Sequence, residues 1–334
     1  MQALPDQPAY RPEQVREIAA NLLLFQRAHG GWPKDYDMLA VLTEAQKQLI
    51  RGTHEAADTS FDNHNVFPQV EYIARAYAQE QEPAWRAAAE RGLDFMLAAQ
   101  YANGGFPQRW PKPTGIGAHI TLNDGVMMGI LGVLRDAGRG TAHFSWLEAA
   151  RRDRAAAAAR RGLACLLEMQ VVVDGARTAW GQQHDAKTLA PAPARTFEPA
   201  CLAPGDAVEV VRFLMQESTP TPQVVAAVQA AVAWLQKVRL DGIRVERVPA
   251  PPAEFFRHKA DFDVVVVKDE KAPPLWPRMV EIGSGRGLFS GRDGVIKYAL
   301  ADIDRERRTG SGWFVSSPRH LLEVEYPRWR AKLK

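Results

Sequence analysis

Four separated stretches of this 334-residue chain gather ionisable side chains in turn-forming contexts, where loops held by a rigid scaffold usually carry function. In the first, residues 59–65 (TSFDNHN), Asp62-Asn63 precedes a helical pattern, and in the second, residues 120–125 (ITLNDG), Asn123-Asp124 opens another. Two acidic helix entries at corresponding ends of neighbouring helix pairs would bring two carboxylates to one rim, an oxygen-ligand set suited to calcium. No DxDxDG loop is present, so such a site has to be assembled from distant residues. The plainer reading is that Asp62 or Asn63 caps its helix, and position alone favours the cap. The third stretch, residues 180–202 (WGQQHDAKTLAPAPARTFEPACL), is a long polar loop. His184-Asp185 suggests a general base, but with no serine or cysteine elbow in the chain a structural, hydrogen-bonded histidine is favoured. Arg195 offers a planar fork suited to a carboxylate. The fourth, residues 281–300 (EIGSGRGLFSGRDGVIKYAL), sets Arg286 and Arg292 in glycine-rich loops that let backbone approach a ligand closely. A pair of structural arginines, Arg292 bonded to Asp293 or to carbonyls, is the competing reading. Neither a dinucleotide fingerprint nor a P-loop is present.

The elements that must position these residues come from a repeat. A helix ending in glutamine and followed by glycine occurs at residues 22–35 (LLLFQRAHGGWPKD) and 95–108 (FMLAAQYANGGFPQ), with weaker copies ending at Gly175 and Gly242. The glutamines fall at 26, 100, 170 and 236, spaced 74, 70 and 66 residues apart, enough for two helices per repeat. Amphipathic pairs cannot bury their apolar stripes alone, so they must stack or close into a ring. Gly30-Gly31 and Gly104-Gly105 stop helices, and Pro33 and Pro107 prevent their continuation. The repeated glutamines and tryptophans either staple one pair to the next or touch substrate, and both uses are expected. After about Lys237 the pattern changes to irregular structure with short strands, including the run Val264–Val267, and a final helix over residues 301–307.

Composition bounds the rest. With 46% hydrophobic residues the chain can bury a continuous core, and it reads as a single catalytic domain, 1–334, with a flexible N-terminus over residues 1–12. Its 42 Lys+Arg against 39 Asp+Glu give a net charge of +3, too balanced to predict nucleic-acid binding, although a local basic groove remains open to a polyanion. No apolar run reaches the ~20 residues needed to span a bilayer, and the start of the chain is no signal sequence. Cys165 and Cys201 lack metal-ligand spacing and read as structural.

Taken together, NLLLFQRAHGGWPKD, SFDN, ITLND, WGQQHDAKTLAPAPARTFEP and FSGRDGVIKYAL followed by ERRTGSGWF closely resemble the family 10 polysaccharide lyases, which are pectate lyases, in family order over nearly the whole chain. QQHD, AR-x-FEP and SGRDG are the most specific blocks. The resemblance implies an all-α fold, an α/α toroid of repeated helix pairs with long loops and a few short strands forming a substrate cleft. It implies calcium dependence, polygalacturonate as substrate, and β-elimination with an arginine base. Residue by residue, it implies Asp62 and Asp124 as the acidic groups of the calcium site, Asp62 also near the chemistry, and Arg292 or Arg286 as the base, Arg292 slightly favoured. Arg195, Asn63, Asn123, His184 and Lys34 become substrate contacts. A secreted or periplasmic monomer is also implied. The chain departs from the family's DN-x-AT at Asp62–Val66, has Gly125 where the family commonly has a second aspartate, and has Ala200–Pro204 where the family reads SLSG.

Three rival readings are distinguishable. A toroidal uronide hydrolase would use Asp62 and Asp124 as its acid/base pair and need no metal. A weakened galacturonan-binding protein would keep Arg195 without turnover. A triterpene cyclase, which shares glutamine-glycine repeats, would need a DxDD motif that is missing here.

Overall fold

The computed structural model describes residues 6–333, and the chain divides into two compact units, Met1–Cys165 and Leu166–Lys334. The two units are of nearly equal length. Of the N-terminal stretch expected to be flexible, residues 1–5 lie outside the described residues. The next few are tied down: Tyr10 N–H donates to the Leu39 carbonyl at 2.6 Å and Gln7 Nε2 to the Val41 carbonyl, also at 2.6 Å.

The first unit holds α1 (Val15–Phe25), α2 (Glu44–Arg51), α3 (Phe67–Glu80), α4 (Pro83–Ala99), α5 (Val126–Arg139) and most of α6 (Ala149–Met169). The second continues with α7 (Pro204–Met215) and α8 (Pro222–Lys237). Proline in the first turn starts α3, α4, α7 and α8, where its missing N–H costs nothing.

The glutamine repeat is a clamp. Each helix end leaves carbonyls without partners, and Gln26 Nε2 closes two gaps at once, donating to Gly30 O at 3.0 Å and to Ala88 O on α4 at 2.9 Å. Arg91, one turn beyond Ala88, donates to Gln26 Oε1 at 2.7 Å. The second copy repeats every part: Gln100 donates to Gly104 O and Ala158 O, and Arg161 donates to Gln100 Oε1. Gly30 and Gly104 have φ of +97° and +93°, and a Cβ on either would stand 2.4 or 2.3 Å from the Arg91 or Arg161 carbonyl oxygen. In the third copy Gln170 donates to Thr178 O and Ala227 O, across a loop lengthened by the small hairpin Val172–Val173/Ala176–Arg177. The arginine position there is Ala230, and Gln170 Oε1 is buried without a partner. Indole N–H groups tie the loops back: Trp32 to Leu22 O, Trp180 to Leu166 O and Trp276 to Leu235 O, at 2.7–2.8 Å.

That last bond corrects the fourth copy. Gln236 is exposed; the backbone pair Leu240 N–Leu275 O matches Arg27 N–Gly31 O and Val171 N–Ala179 O, so the clamp position is Arg239. The loop between Leu240 and Leu275 carries a long antiparallel hairpin, Ile243–Glu254 with Lys259–Lys268. Only short strands were expected because Pro249, Pro251 and Pro252 interrupt the alternation. The pairing absorbs them in a register shift between Pro249 and Ala253. With about 45% helix and 16% strand the fold is predominantly helical rather than all-α.

Past the hairpin, a three-stranded sheet (Met279–Val280, Gly287–Ser290, Ile296–Lys297) packs Met279, Leu288 and Phe289 against Cys201, Leu300, Ile303 and Trp313. Cys165 and Cys201 are both buried and form no disulfide. The expected last helix begins later, as α9 (Arg305–Gly310), and is followed by helical turns from Ser317 to Ala331 that Pro318 and Pro327 disguised in the sequence.

The loop after Trp180 is organised by His184. Its side chain is fully buried; Gly181 N–H donates to Nε2 at 3.0 Å and Nδ1 lies 2.8 Å from Leu189 O, which fixes the neutral tautomer with the proton on Nδ1. Burial pulls its pKa down to about 4.

Two outcomes follow. Arg91→Ala should destabilise the chain by about 1–2 kcal/mol, whereas Ala230→Arg should stabilise it by about 1 kcal/mol, both read from urea midpoints. A destabilising Ala230→Arg would show that the third clamp does not have the first one's geometry. For His184, the unfolded chain binds a proton near pH 6.5 that the folded chain refuses until about pH 4, so stability falls as pH drops through that window, by up to about 3 kcal/mol. His184→Gln, which keeps one donor and one acceptor without titrating, should flatten the fall between pH 6.5 and 4.5 in the same assay.

Candidate functional site

In the first unit an acidic pair forms where two loops meet. The Pro33–Thr59 and Ser60–Arg109 bridges and the buried Phe61 hold the strand that leads into Asp62. Asn65, also buried, donates to Trp32 O at 3.0 Å and to Ser60 O at 2.7 Å, and accepts from Gln69 Nε2, closing the turn behind Asp62. The turn is strained: Asn63 and His64 each have φ of 54°, and Val66, a β-branched residue, has φ of 78°. Such positions cost of order 1–3 kcal/mol and persist where surrounding structure imposes them. Asp124 (φ 54°) and Gly125 (φ 66°) make a similar left-handed entry to α5, and the His64 ring lies 3.5 Å from where a Cβ on Gly125 would stand.

Neither acid is a helix cap. α3 and α5 start at Val66 and Gly125 with no side-chain cap bond, so the capping reading gives way. Lys34 Nζ instead lies 2.5 Å from Asp62 Oδ2, and Asn63 Nδ2 donates to Asp35 Oδ1 at 3.3 Å. Burial raises the Asp62 pKa, but hydrogen bonds from Lys34 and Asp124 outweigh it and hold that carboxyl below the usual range. The Asp62 and Asp124 carboxyl groups are thus within hydrogen-bonding reach of one another. Asn123 sits half-buried in the turn just before Asp124.

Among the described residues no three His, Cys, Asp or Glu side chains converge as a metal site. The donor set nevertheless suits a hard cation. Asp62 Oδ1 is buried without a hydrogen-bond partner and the Asp124 carboxyl lies against it, an arrangement that needs a proton or a cation to be tolerable. Asp62 and Asp124 would hold it.

In the second unit, arginines gather around Phe197. The guanidinium carbons of Arg307, Arg195 and Arg292 lie 3.9, 4.8 and 5.7 Å from its ring centre. Arg195 forks onto Glu198 through Nε (2.7 Å) and Nη2 (2.5 Å), and Arg278 approaches the same carboxylate at 3.6 Å. Arg292 forks onto Glu306 at 3.0 and 2.7 Å. Burial alone would raise the Glu198 pKa; the bond from Arg195 and the charges of Arg195 and Arg278 pull it below the usual range. The Glu306 carboxylate conversely raises the pKa of Arg292. Arg307 is 7% exposed, its Nε has no partner, and burial, with the nearby charges of Arg292 and Arg195, lowers its pKa.

One short helix organises this cluster. Helix α9 turns Arg305, Arg308 and Thr309 toward the long hairpin, with Arg308 forked onto Asp263 at 2.8 and 2.6 Å and Arg305 donating to Phe262 O and Ala260 O. Its other face presents Glu306 and Arg307 to the cluster, the i, i+3, i+4 division of a helix.

The fates of the residues expected from sequence differ. Lys34, Asp62 and Asp124 come together, with Asn63 and Asn123 beside them. Arg195 and Arg292 come together in the second unit. Arg286 does not join them: it stacks 3.5 Å from the Tyr298 ring, and Tyr298 O–H donates to Glu281. His184 is corrected as a substrate contact, since it is sealed in the core with both ring nitrogens engaged by backbone. The fork of Arg292 onto Glu306 favours its charged form. Arg278, Arg307, Phe197, Glu198 and Glu306 were missed. All but Arg278 lie in the FEP and ERR motifs, which were read as blocks rather than as single side chains.

Comparison with known proteins identifies the family. A family model for pectic acid lyases matches residues 26–322. The family 10 polysaccharide lyase from Cellvibrio cellulosa is similar in structure, with TM-score 0.77 and 25% identity over 98% of each chain. An aspartate-to-alanine mutant of that lyase in complex with trigalacturonic acid gives TM-score 0.78 and 25% identity over 95% of this chain and 94% of that one. No curated protein sequence matches. The chain belongs to the pectic acid lyase family and is a polysaccharide lyase.

Proposed function

We propose that this lyase cleaves polygalacturonate by calcium-assisted β-elimination with an arginine base, leaving 4,5-unsaturated oligogalacturonides. The observation that carries the reading is the cluster of four guanidiniums, Arg195, Arg278, Arg292 and Arg307, gathered with Glu198 and Glu306. Guanidiniums gathered beside an aromatic ring suit the binding of uronate carboxylates. The trigalacturonic acid held by the Cellvibrio mutant supports the same substrate class.

In the reaction a base takes the C5 proton, the electron pair passes into the uronate carboxylate as an enolate, and the C4–oxygen bond then breaks, its oxygen leaving to take up a proton. Asp62 and Asp124 would hold calcium, which would supply electrostatic stabilisation of negative charge on a uronate carboxylate. Lys34 holds Asp62 ionised for that task. Arg195 is the base in this reading. Its side chain is 59% exposed, against 42% for Arg292 and 28% for Arg278, so it is the arginine of the cluster best placed to reach substrate. Arg292 and Arg278 then orient carboxylates.

The repeated, clamped helix pairs support an α/α toroid as the overall architecture, and we extend the reading to a secreted or periplasmic monomer. No helix among the described residues is long and apolar enough to cross a membrane. The hydrolase alternative loses its footing: glycosidase carboxyl groups stand about 5–9.5 Å apart, whereas those of Asp62 and Asp124 touch.

The test follows ultraviolet absorbance of unsaturated uronate from polygalacturonate at alkaline pH. Wild type should be active with calcium and silent with chelator, and Arg195→Lys should lose about 100-fold or more in kcat. Arg292→Lys should raise KM with kcat largely kept; equal loss in kcat for Arg292→Lys and none for Arg195→Lys would move the base to Arg292. Asp124→Asn should raise the calcium concentration for half-maximal activity by about tenfold or more. New reducing ends without absorbance would overturn elimination altogether.

A further inference from the structure

We propose that the tip of the long hairpin is an additional uronate-binding subsite, built from Phe256 and Arg257 with Arg292, that favours longer galacturonan chains. The proposal rests on the substrate assigned above and concerns residues that neither the repeat nor the acid–base chemistry uses.

Phe255 and Phe256 sit side by side at the tip and do opposite things. Phe255 turns inward, 5.1 Å from the His258 ring and 5.8 Å from the Arg305 guanidinium, and its N–H donates to His258 O at 2.8 Å. His258 Nε2 in turn lies 2.8 Å from Thr309 Oγ1 on α9. The tip is therefore fastened to the helix that holds Arg292 and Arg307. Phe256 faces water instead. At 77% exposure it is the most exposed large hydrophobic residue in the described structure, although burying a phenylalanine is worth about 1.5–3 kcal/mol. A pinned loop that leaves this ring outside is presenting it.

What surrounds the ring indicates the ligand. Arg292 lies 5.2 Å and Arg257 5.4 Å from its centre, and Arg292 is also the guanidinium 5.7 Å from Phe197. One arginine thus links the inner aromatic ring of the cluster to an outer, exposed one. Arg257 is exposed and has no ion pair among the described residues, so its charge is available. An apolar face flanked by two cations matches a uronic acid residue: the C–H face of the sugar lies on the ring and the carboxylate meets a guanidinium. A neutral sugar would use the ring alone, and an isolated small anion the cations alone. No bond is made or broken here; the subsite adds binding energy remote from the reacting carbons.

The experiment measures kcat/KM for wild type, Phe256→Ala, Phe256→Trp and Arg257→Ala along a size series from trigalacturonate to polygalacturonate. Wild type should gain with chain length. Phe256→Ala should lose roughly five- to tenfold on the polymer and under twofold on the trimer, Arg257→Ala should lose less in the same pattern, and Phe256→Trp should retain the polymer preference. Thermal midpoints of the variants should match wild type, since Phe256 is outside the core. Equal losses at every length, or none at any, would overturn the subsite while leaving the lyase reading intact. A wild type that makes no unsaturated product would remove that reading, and the subsite with it.

Discussion

The loops of this protein depend on one hydrogen-bonded unit, a glutamine amide just past a helix that donates to a carbonyl of its own loop and to a carbonyl of another helix. Helix ends are where a chain is least determined, because their last carbonyls have no partner in the helix. Gln26, Gln100 and Gln170 each spend both amide hydrogens there, and a buried unmade bond would cost about 1–3 kcal/mol. The chain then leaves at a fixed point. In the first unit Trp32, bonded to Leu22 O, stands two residues before Lys34, and its own carbonyl receives Asn65, which closes the turn behind Asp62. Clamp, indole and asparagine form one path from helix end to acidic pair.

In the second unit the comparable constraint is the two-sidedness of α9. Six residues would make a poor helix in isolation, yet Arg305 and Arg308 bind the long hairpin on one side while Glu306 and Arg307 meet the arginine cluster on the other. The Arg308–Asp263 fork is partly buried and bidentate, the geometry in which an ion pair positions its owner best. The hairpin thus acts on the cluster through a helix, and its proline-broken register matters less than the contacts along Lys259–Lys268.

What was legible in the sequence was whatever rested on period or turn chemistry. Helix pairs, glycine stops, the acidic turns and the arginine-bearing loops all follow from local residue type. The fourth clamp was misplaced because Gln236 imitates the pattern three residues early, while the true position is occupied by Arg239 and its loop is opened by a hairpin. His184 invited a substrate role through its neighbours, but burial decided against it, and burial is a property of packing that no local spacing reveals. Arg278 and Arg307 escaped notice for a related reason: arginine is common on surfaces, and only the convergence of distant segments on Phe197 and Glu198 distinguishes these two.

The two sites carry opposite imbalances. At the acidic pair, two carboxyl groups within hydrogen-bonding reach of each other have Lys34 paired to one of them, Asp62. Around Phe197, four guanidiniums have two carboxylates, and the partnerless Nε and lowered pKa of Arg307 mark where that deficit is felt most. Satisfying each site internally would take only one more basic and two more acidic side chains, which are ordinary surface residues. Leaving them out destabilises the fold and creates an attraction of specific sign at each place. Under the proposed function, a divalent cation would answer the excess of negative charge at the acidic pair, and uronate carboxylates the excess of positive charge around Phe197.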